Sequence, residues 1–184
     1  MKNVLIIAVF LCFISALSAQ DRYFTRTGHI YIISATPLLD LDADNNQVAS
    51  ILNIKTGEMV FTLLMKSFIF REALAQDHFN ENYVESDKYP KASFSGKILQ
   101  MENLDLTKAG KYSVTVEGDL TIHGQTNKVN SKGTIEVKTD LITAQSKFEI
   151  NVYDYGIKIP KLVQDKVNKI IPITVEMKYK PFNK

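Results

Sequence analysis

The chain has 184 residues, of which 45% are hydrophobic and 23% charged, and its 22 Lys and Arg against 20 Asp and Glu give a net charge of +2. This balance suits one globular domain and excludes a disordered chain as well as the one-sided basic surface that draws proteins to nucleic acid. Cys12 is the sole cysteine, so no disulfide can form within one chain.

Met1 and Lys2 lead into the apolar run Val4 to Leu17, followed by small residues around Ala16, Ser18 and Ala19. A basic start, a short apolar centre and a small-residue cleavage zone read as a secretory signal peptide over residues 1–19, too short for a membrane span. Cleavage near Ala19 leaves residues 20–184 as a single exported domain, periplasmic or secreted, with 21 basic against 20 acidic side chains once Lys2 is gone. Cys12 leaves with the leader. The alternative, lipidation of Cys12, is disfavoured by Phe10 and Leu11, which stand where small residues usually precede such a site.

In chain order, Tyr23 to Thr27 and Gly28 to Ala35 are extended segments rich in β-branched and aromatic residues. The alternation blurs at Ile30 to Ile33, which predicts partial cover on both faces. Pro37 and the acidic run Asp40 to Asn46 read as a polar turn region. Val48 to Ile54 and Glu58 to Met65 form a hairpin around Lys55, Thr56 and Gly57. Residues 72–84 change period and predict a short helix, which stops before Pro90.

The second half is more regular. Ala92, Phe94, Gly96 and Ile98 alternate with polar residues, and from Tyr112 to Ile122 every even position is apolar or glycine while every odd one is polar. Such a period-two pattern gives a strand with one apolar face. The same pattern runs through Val129 to Val137 and Ile142 to Val152. After a Pro160-started helical turn over residues 160–168 it returns in Ile171 to Tyr179. An open sheet of this size would expose edges and a bare apolar face, and closure removes both. The prediction is an all-β protein: one antiparallel up-and-down barrel of about eight strands, with short helices near 72–84 and 160–168.

The inward faces then carry the function. Gly96, Gly118, Ser131, Gly133, Ala144 and Ser146 share them with Phe94, Tyr112, Phe148 and Ile150. One reading is an apolar hollow for a lipid-like ligand, because each small residue withdraws volume from the centre. The other is that the glycines relieve strand bending and the small residues make room for large neighbours. Residue pattern alone leaves the two open.

HFNENYVESDKYPKASFSGKI (His78 to Ile98), GDLTIHGQTNKV (Gly118 to Val129), FEINVYDYGIKIP (Phe148 to Pro160) and VNKIIPITVEM (Val167 to Met177) occur in that order. In this combination the chain resembles the YceI-like family of periplasmic polyisoprenoid-binding proteins over nearly its whole mature length. It departs from the family at Arg26 to Tyr31, where many members have a strand containing tyrosine, aspartate, histidine and serine. The resemblance implies a lipocalin-like barrel whose interior holds a long isoprenoid or related amphiphile, for transport, storage or sequestration rather than catalysis. The expected cavity lining is Phe94, Gly96, Tyr112, Val114, Val116, Gly118, Leu120, Ile135, Phe148, Ile150, Val175 and Met177, with His123 and His78 as candidates for polar contacts at the rim. Expected partners are an isoprenoid or other long-chain lipid, without nucleic acid or cofactor. Transient membrane contact and a dimer are left open. The alternative is an exported structural or interaction domain with a filled barrel that binds a protein.

Asp77, His78, Glu81, Glu85 and Asp87 cluster in sequence as a candidate metal or acid–base site, and a solvated helix face accounts for them better. His123, beside Gly124, reads as a hairpin decoration with Thr121 and Thr126 nearby. No nucleophile elbow, phosphate-cradling glycine loop or paired-histidine metal motif is present, so neither an enzyme nor a metal site is expected.

Overall fold

A computed structural model describes residues 21–36, 39–164 and 167–182. The leader read over residues 1–19, Cys12 and Pro37 lie outside them. The strands are β1 (Arg22–Thr36), β2 (Leu39–Asn53), β3 (Glu58–Leu64), β4 (Ile69–Phe70), β5 (Lys91–Ile98), β6 (Gly110–Ile122), β7 (Gln125–Lys138), β8 (Leu141–Asn151) and β9 (Ile170–Pro181). They pair antiparallel in the order β1-β9-β8-β7-β6-β5-β3-β2, and β1 pairs with β2 to close an eight-stranded barrel; the two-residue β4 adds to the upper part of β2. The expected barrel is the observed one.

The acidic run Asp40 to Asn46 is strand, not turn. Ala43 and Asn45 are buried, whereas Asp42 accepts a hydrogen bond from the Tyr31 hydroxyl (2.7 Å) and Asp44 one from His29 Nε2 (2.5 Å). The aspartates therefore occupy the outer face of a paired strand, where β1 supplies donors. Asn45 sits where β2 and β3 part. Its amide donates to the Leu64 carbonyl (3.1 Å) and its side-chain oxygen accepts from the Gln47 amide (2.9 Å), so this fully buried polar group is satisfied.

The lower end, which carries the β2–β3, β5–β6 and β7–β8 connections, is filled. Leu52, Leu106, Ile142, Met177 and Tyr179 are all at most 2% exposed there. The Tyr179 hydroxyl meets Ser50 Oγ (2.8 Å), and Ser50 in turn donates to the Val60 carbonyl (2.8 Å), which leaves the Tyr179 proton pointing at the serine oxygen. Burial pushes this phenol well above its ordinary pKa.

The upper end holds the paired ends of β1 and β2 at Thr36 and Leu39, the β6–β7 turn and two covering segments. The first is α1 (Ala73–His78), which runs on into a π turn over Phe79–Tyr83, closed by the Val84 amide donating to the Phe79 carbonyl (2.9 Å). Phe79 and Tyr83, four residues apart, both face the barrel side and border its interior. The Phe79 ring packs on Phe70 and Phe68, with centroids 4.9 and 5.6 Å apart. The second is the connection from Val152 to Lys169, which begins in a 3-10 turn (Val152–Tyr155) and buries Tyr155, Ile157 and Ile159. Of the helix expected over 160–168, a 3-10 turn at Lys161–Val163 is present, and residues 165 and 166 lie outside the described ones.

Tyr179→Phe should lower stability by about 1 kcal/mol, the usual net worth of one hydrogen bond. Tyr179→Ala should cost about 3–5 kcal/mol through the cavity it opens in the floor. Urea unfolding followed by circular dichroism measures both.

Candidate functional site

Above that floor the barrel is hollow. The cavity measures about 540 Å³, and its wall is almost entirely apolar. Of the residues expected to line it, Phe94, Val114, Val116, Leu120, Ile135, Phe148, Ile150, Val175 and Met177 stand on the wall. Ile135 pairs with Ala144, and Ala144 with Met177, so these three form one row across the sheet at the base of the hollow. Phe61 and Phe94 meet edge to face on the opposite wall, with centroids 5.6 Å apart.

Gly96, Gly118 and Tyr112 are not on the wall, which corrects the expectation for all three. Gly96 pairs directly with Gly118 across β5 and β6. A Cβ on Gly118 would lie 2.5 Å from the Ser95 carbonyl oxygen and 2.6 Å from Gly96 Cα, and one on Gly96 would lie 2.4 Å from the Glu117 carbonyl oxygen. The end of the Phe94 ring lies within 2.6 Å of both positions. These glycines serve a close backbone approach roofed by Phe94, which is the bending reading and not the cavity reading. Tyr112 belongs to the lower end, where its hydroxyl donates to the carbonyls of Asp105 (2.8 Å) and Lys108 (3.0 Å). Of the six small residues that the alternation turns inward, Ser131, Gly133, Ala144 and Ser146, on β7 and β8, do border the cavity.

Sequence reasoning missed the upper lining. Ile30, Ile32 and Leu41 come from the hairpin whose alternation is blurred, while Phe68, Phe79, Tyr83, Ile157 and Val163 come from segments with no strand period. The clue available was the density of aromatic and β-branched residues in those connections. Glu72, Leu74 and His78 of the α1 segment, all exposed, border the cavity at its mouth, as do Ser34 and Asn168. His78 is exposed there and accepts a hydrogen bond at Nδ1 from the Asn82 amide (2.9 Å). Asp77 and Glu81 are exposed, and among the described residues no three His, Cys, Asp or Glu side chains converge as a metal site.

His123 stands apart from the cavity. It and Gly124 have φ angles of 51° and 72°, the left-handed pair that a two-residue hairpin turn requires. This turn aims the imidazole into the barrel end, where it is 9% exposed. Nε2 donates to Glu85 Oε2 (2.7 Å), Nδ1 lies 3.1 Å from the Tyr155 carbonyl oxygen, and Tyr89 packs on the ring at 4.3 Å between centroids. Both nitrogens thus join the turn to the two covering segments. His123 clasps the roof to the turn and does not line the cavity.

The hydrogen bond from His123 holds the Glu85 carboxyl below its ordinary pKa, with smaller help from Lys88. A carboxyl whose folded pKa is depressed contributes stability above its unfolded value and loses it as pH falls through the folded one. Thermal melts between neutral pH and ~pH 3 should therefore show a smaller acid-induced loss in Glu85→Gln than in the unsubstituted protein. Equal losses would remove the clasp from the account. Separately, Gly118→Ala should destabilise the barrel by about 1–3 kcal/mol through overpacking, read from the same melts.

No helix among the described residues is long and apolar enough to cross a membrane. No curated protein sequence matches the chain significantly. The fold is shared with a polyisoprenoid-binding domain from Saccharophagus degradans implicated in plant cell wall breakdown, at a TM-score of 0.74 and 14% identity over 88% of this chain and 99% of that one. It is shared also with BcnA of Burkholderia cenocepacia (TM-score 0.67, 15% identity, 82% and 95% covered) and with the Campylobacter jejuni YceI protein (0.62, 13%, 79% and 88%). The model of the YceI-like domain matches residues 23–179, nearly the whole described barrel, and this chain belongs to the YceI-like family.

Proposed function

We propose that this protein is a carrier that holds a long apolar amphiphile, a polyisoprenoid, an isoprenoid-quinone-like molecule or a similar lipid, in the upper half of its barrel. The observation that carries the reading is the cavity of about 540 Å³ between a solid floor and an apolar roof. That volume falls within the roughly 300–1,000 Å³ typical of ligand pockets. Water is held poorly by such a wall, whereas a hydrocarbon chain gains roughly 25 cal/mol per Å² of apolar surface it buries. The name of the Saccharophagus degradans domain, which binds polyisoprenoid, supports the choice of ligand class.

The role is transport, storage or sequestration. Binding without catalysis fits the wall, whose polar side chains are mostly hydroxyls and amides, with Glu72 and His78 as its sole acid and imidazole among the described residues. Export through the leader over residues 1–19 places the mature protein in the periplasm or outside the cell. Ile69 and Leu74, 62% and 67% exposed beside the mouth, favour brief contact with a membrane during loading. The alternative, an interaction domain with a filled barrel, does not use the hollow.

Organic extraction of the purified protein followed by mass spectrometry should recover a long-chain lipid, and an apolar fluorescent probe should be displaced by it. Ala144→Phe should fill the base of the cavity, weakening probe binding about tenfold or more, equivalent to ~1.4 kcal/mol, with little change in melting temperature. Lipid-free protein with no probe binding sinks the carrier reading in favour of the interaction domain.

A further inference from the structure

In the lower half of the barrel β7 and β8 are paired without interruption, but above it they part. Their pairing runs from Lys138 opposite Leu141 to Gly133 opposite Ser146 and stops there. Beyond that point β7 continues to Gln125 paired with β6, and β8 continues to Asn151 paired with β9. The next pair in register would set Lys132 directly opposite Lys147. Like charges facing each other across a ladder are destabilising, which gives the physical reason for the fork.

The fork is finished by side chains. Ser146 Oγ donates to the Lys132 carbonyl (3.0 Å), so the hydrogen bond between the two serine hydroxyls (2.6 Å) is donated by Ser131. At the top, the Asn127 amide donates to the Asp154 carbonyl (2.8 Å) and ties the parted strands again through the roof. Between these two ties no ladder joins the strands, and Val129, Ser131, Phe148 and Ile150 there all border the cavity. Lys132 and Lys147 are exposed on the outer side, and neither makes an ion pair among the described residues. An apolar hollow thus borders a gap in the sheet with two free ammonium groups at its foot.

We propose that this fork is a headgroup site: an amphiphile whose tail lies in the cavity passes between β7 and β8 and sets an anionic head, a carboxylate or a phosphate, between Lys132 and Lys147. The inference rests on the carrier reading above and adds the charge of the ligand to it. A carboxylate or phosphate accepts from lysine ammonium groups, and at a surface site that attraction weakens as salt rises. The competing account of these lysines is protection of two unpaired strand edges, which requires no ligand charge.

Binding of hexadecanoate, hexadecyl phosphate and hexadecanol to the delipidated protein, each read by displacement of one apolar fluorescent probe at low and high salt, separates these accounts. At low salt at least one anion should bind about tenfold tighter than the alcohol, and the advantage should shrink at high salt. Whichever anion gains more identifies the head as carboxylate or phosphate. The double variant Lys132→Ala, Lys147→Ala should bring the anions down to the level of the alcohol, and Lys147→Glu, which would face Lys132 with an opposite charge, should do the same. The proposal is overturned if the alcohol and both anions bind alike, or if the anionic advantage survives in either variant. Failure of all three amphiphiles to bind is a different result, which removes the carrier reading and this inference with it.

Discussion

Everything in this molecule depends on β1 being paired on both sides. It meets β2 from Arg22 to Thr36 and β9 from Tyr23 to Ile32, and with those two ladders the sheet has no end. The two neighbours require different registers, and β1 accommodates them through irregularities between Thr25 and Ile30. Bulges concentrate twist where a sheet must curl, so the strand that closes the barrel is also the most irregular one. Once closed, the period-two faces of all strands share one interior, and the outer face is left to charged and hydroxyl side chains.

That interior is used in two ways. Toward the lower end, Leu52, Leu106, Ile142 and Tyr179 fill the cross-section, and Tyr179 reaches Ser50 so that its hydroxyl is not stranded in the floor. Midway up, β7 and β8 carry the small residues Ser131, Gly133, Ala144 and Ser146, and above Gly133 and Ser146 the strands themselves part. Two segments outside the barrel wall take over the task of covering, and the His123 clasp holds both of them to the β6–β7 turn. A filled base gives the domain its stability, which leaves the upper half free to remain unfilled.

The shared fold at 13–15% identity fits this view. Closure needs strand number, alternation and a few tight turns, all of which many sequences satisfy. The lining needs particular volumes at particular heights, and a common fold does not specify those.

The amino-acid sequence by itself determined the strands of the second half, their inward faces and the antiparallel barrel, because a period of two over eight or more residues leaves little choice of which side is buried. From Val114 to Ile122 on β6, and from Ile142 to Ile150 on β8, the inward residues are those that the alternation picks out. Tertiary structure decided which of those positions border empty space. Gly118 is inward and small, yet a side chain there would strike Ser95 and Gly96, since the volume beside a Cα is set by how closely another strand approaches and not by the residue's own size. His123 shows the same limit from the other side: its parity is polar, but Glu85 and Tyr155, 38 and 32 positions away, close over it. The acidic half of β2 looked like a turn until Tyr31 and His29 supplied its partners. Local pattern is encoded along the chain, whereas cavities, clasps and the β7–β8 fork arise from distances between segments that the chain brings together only on folding.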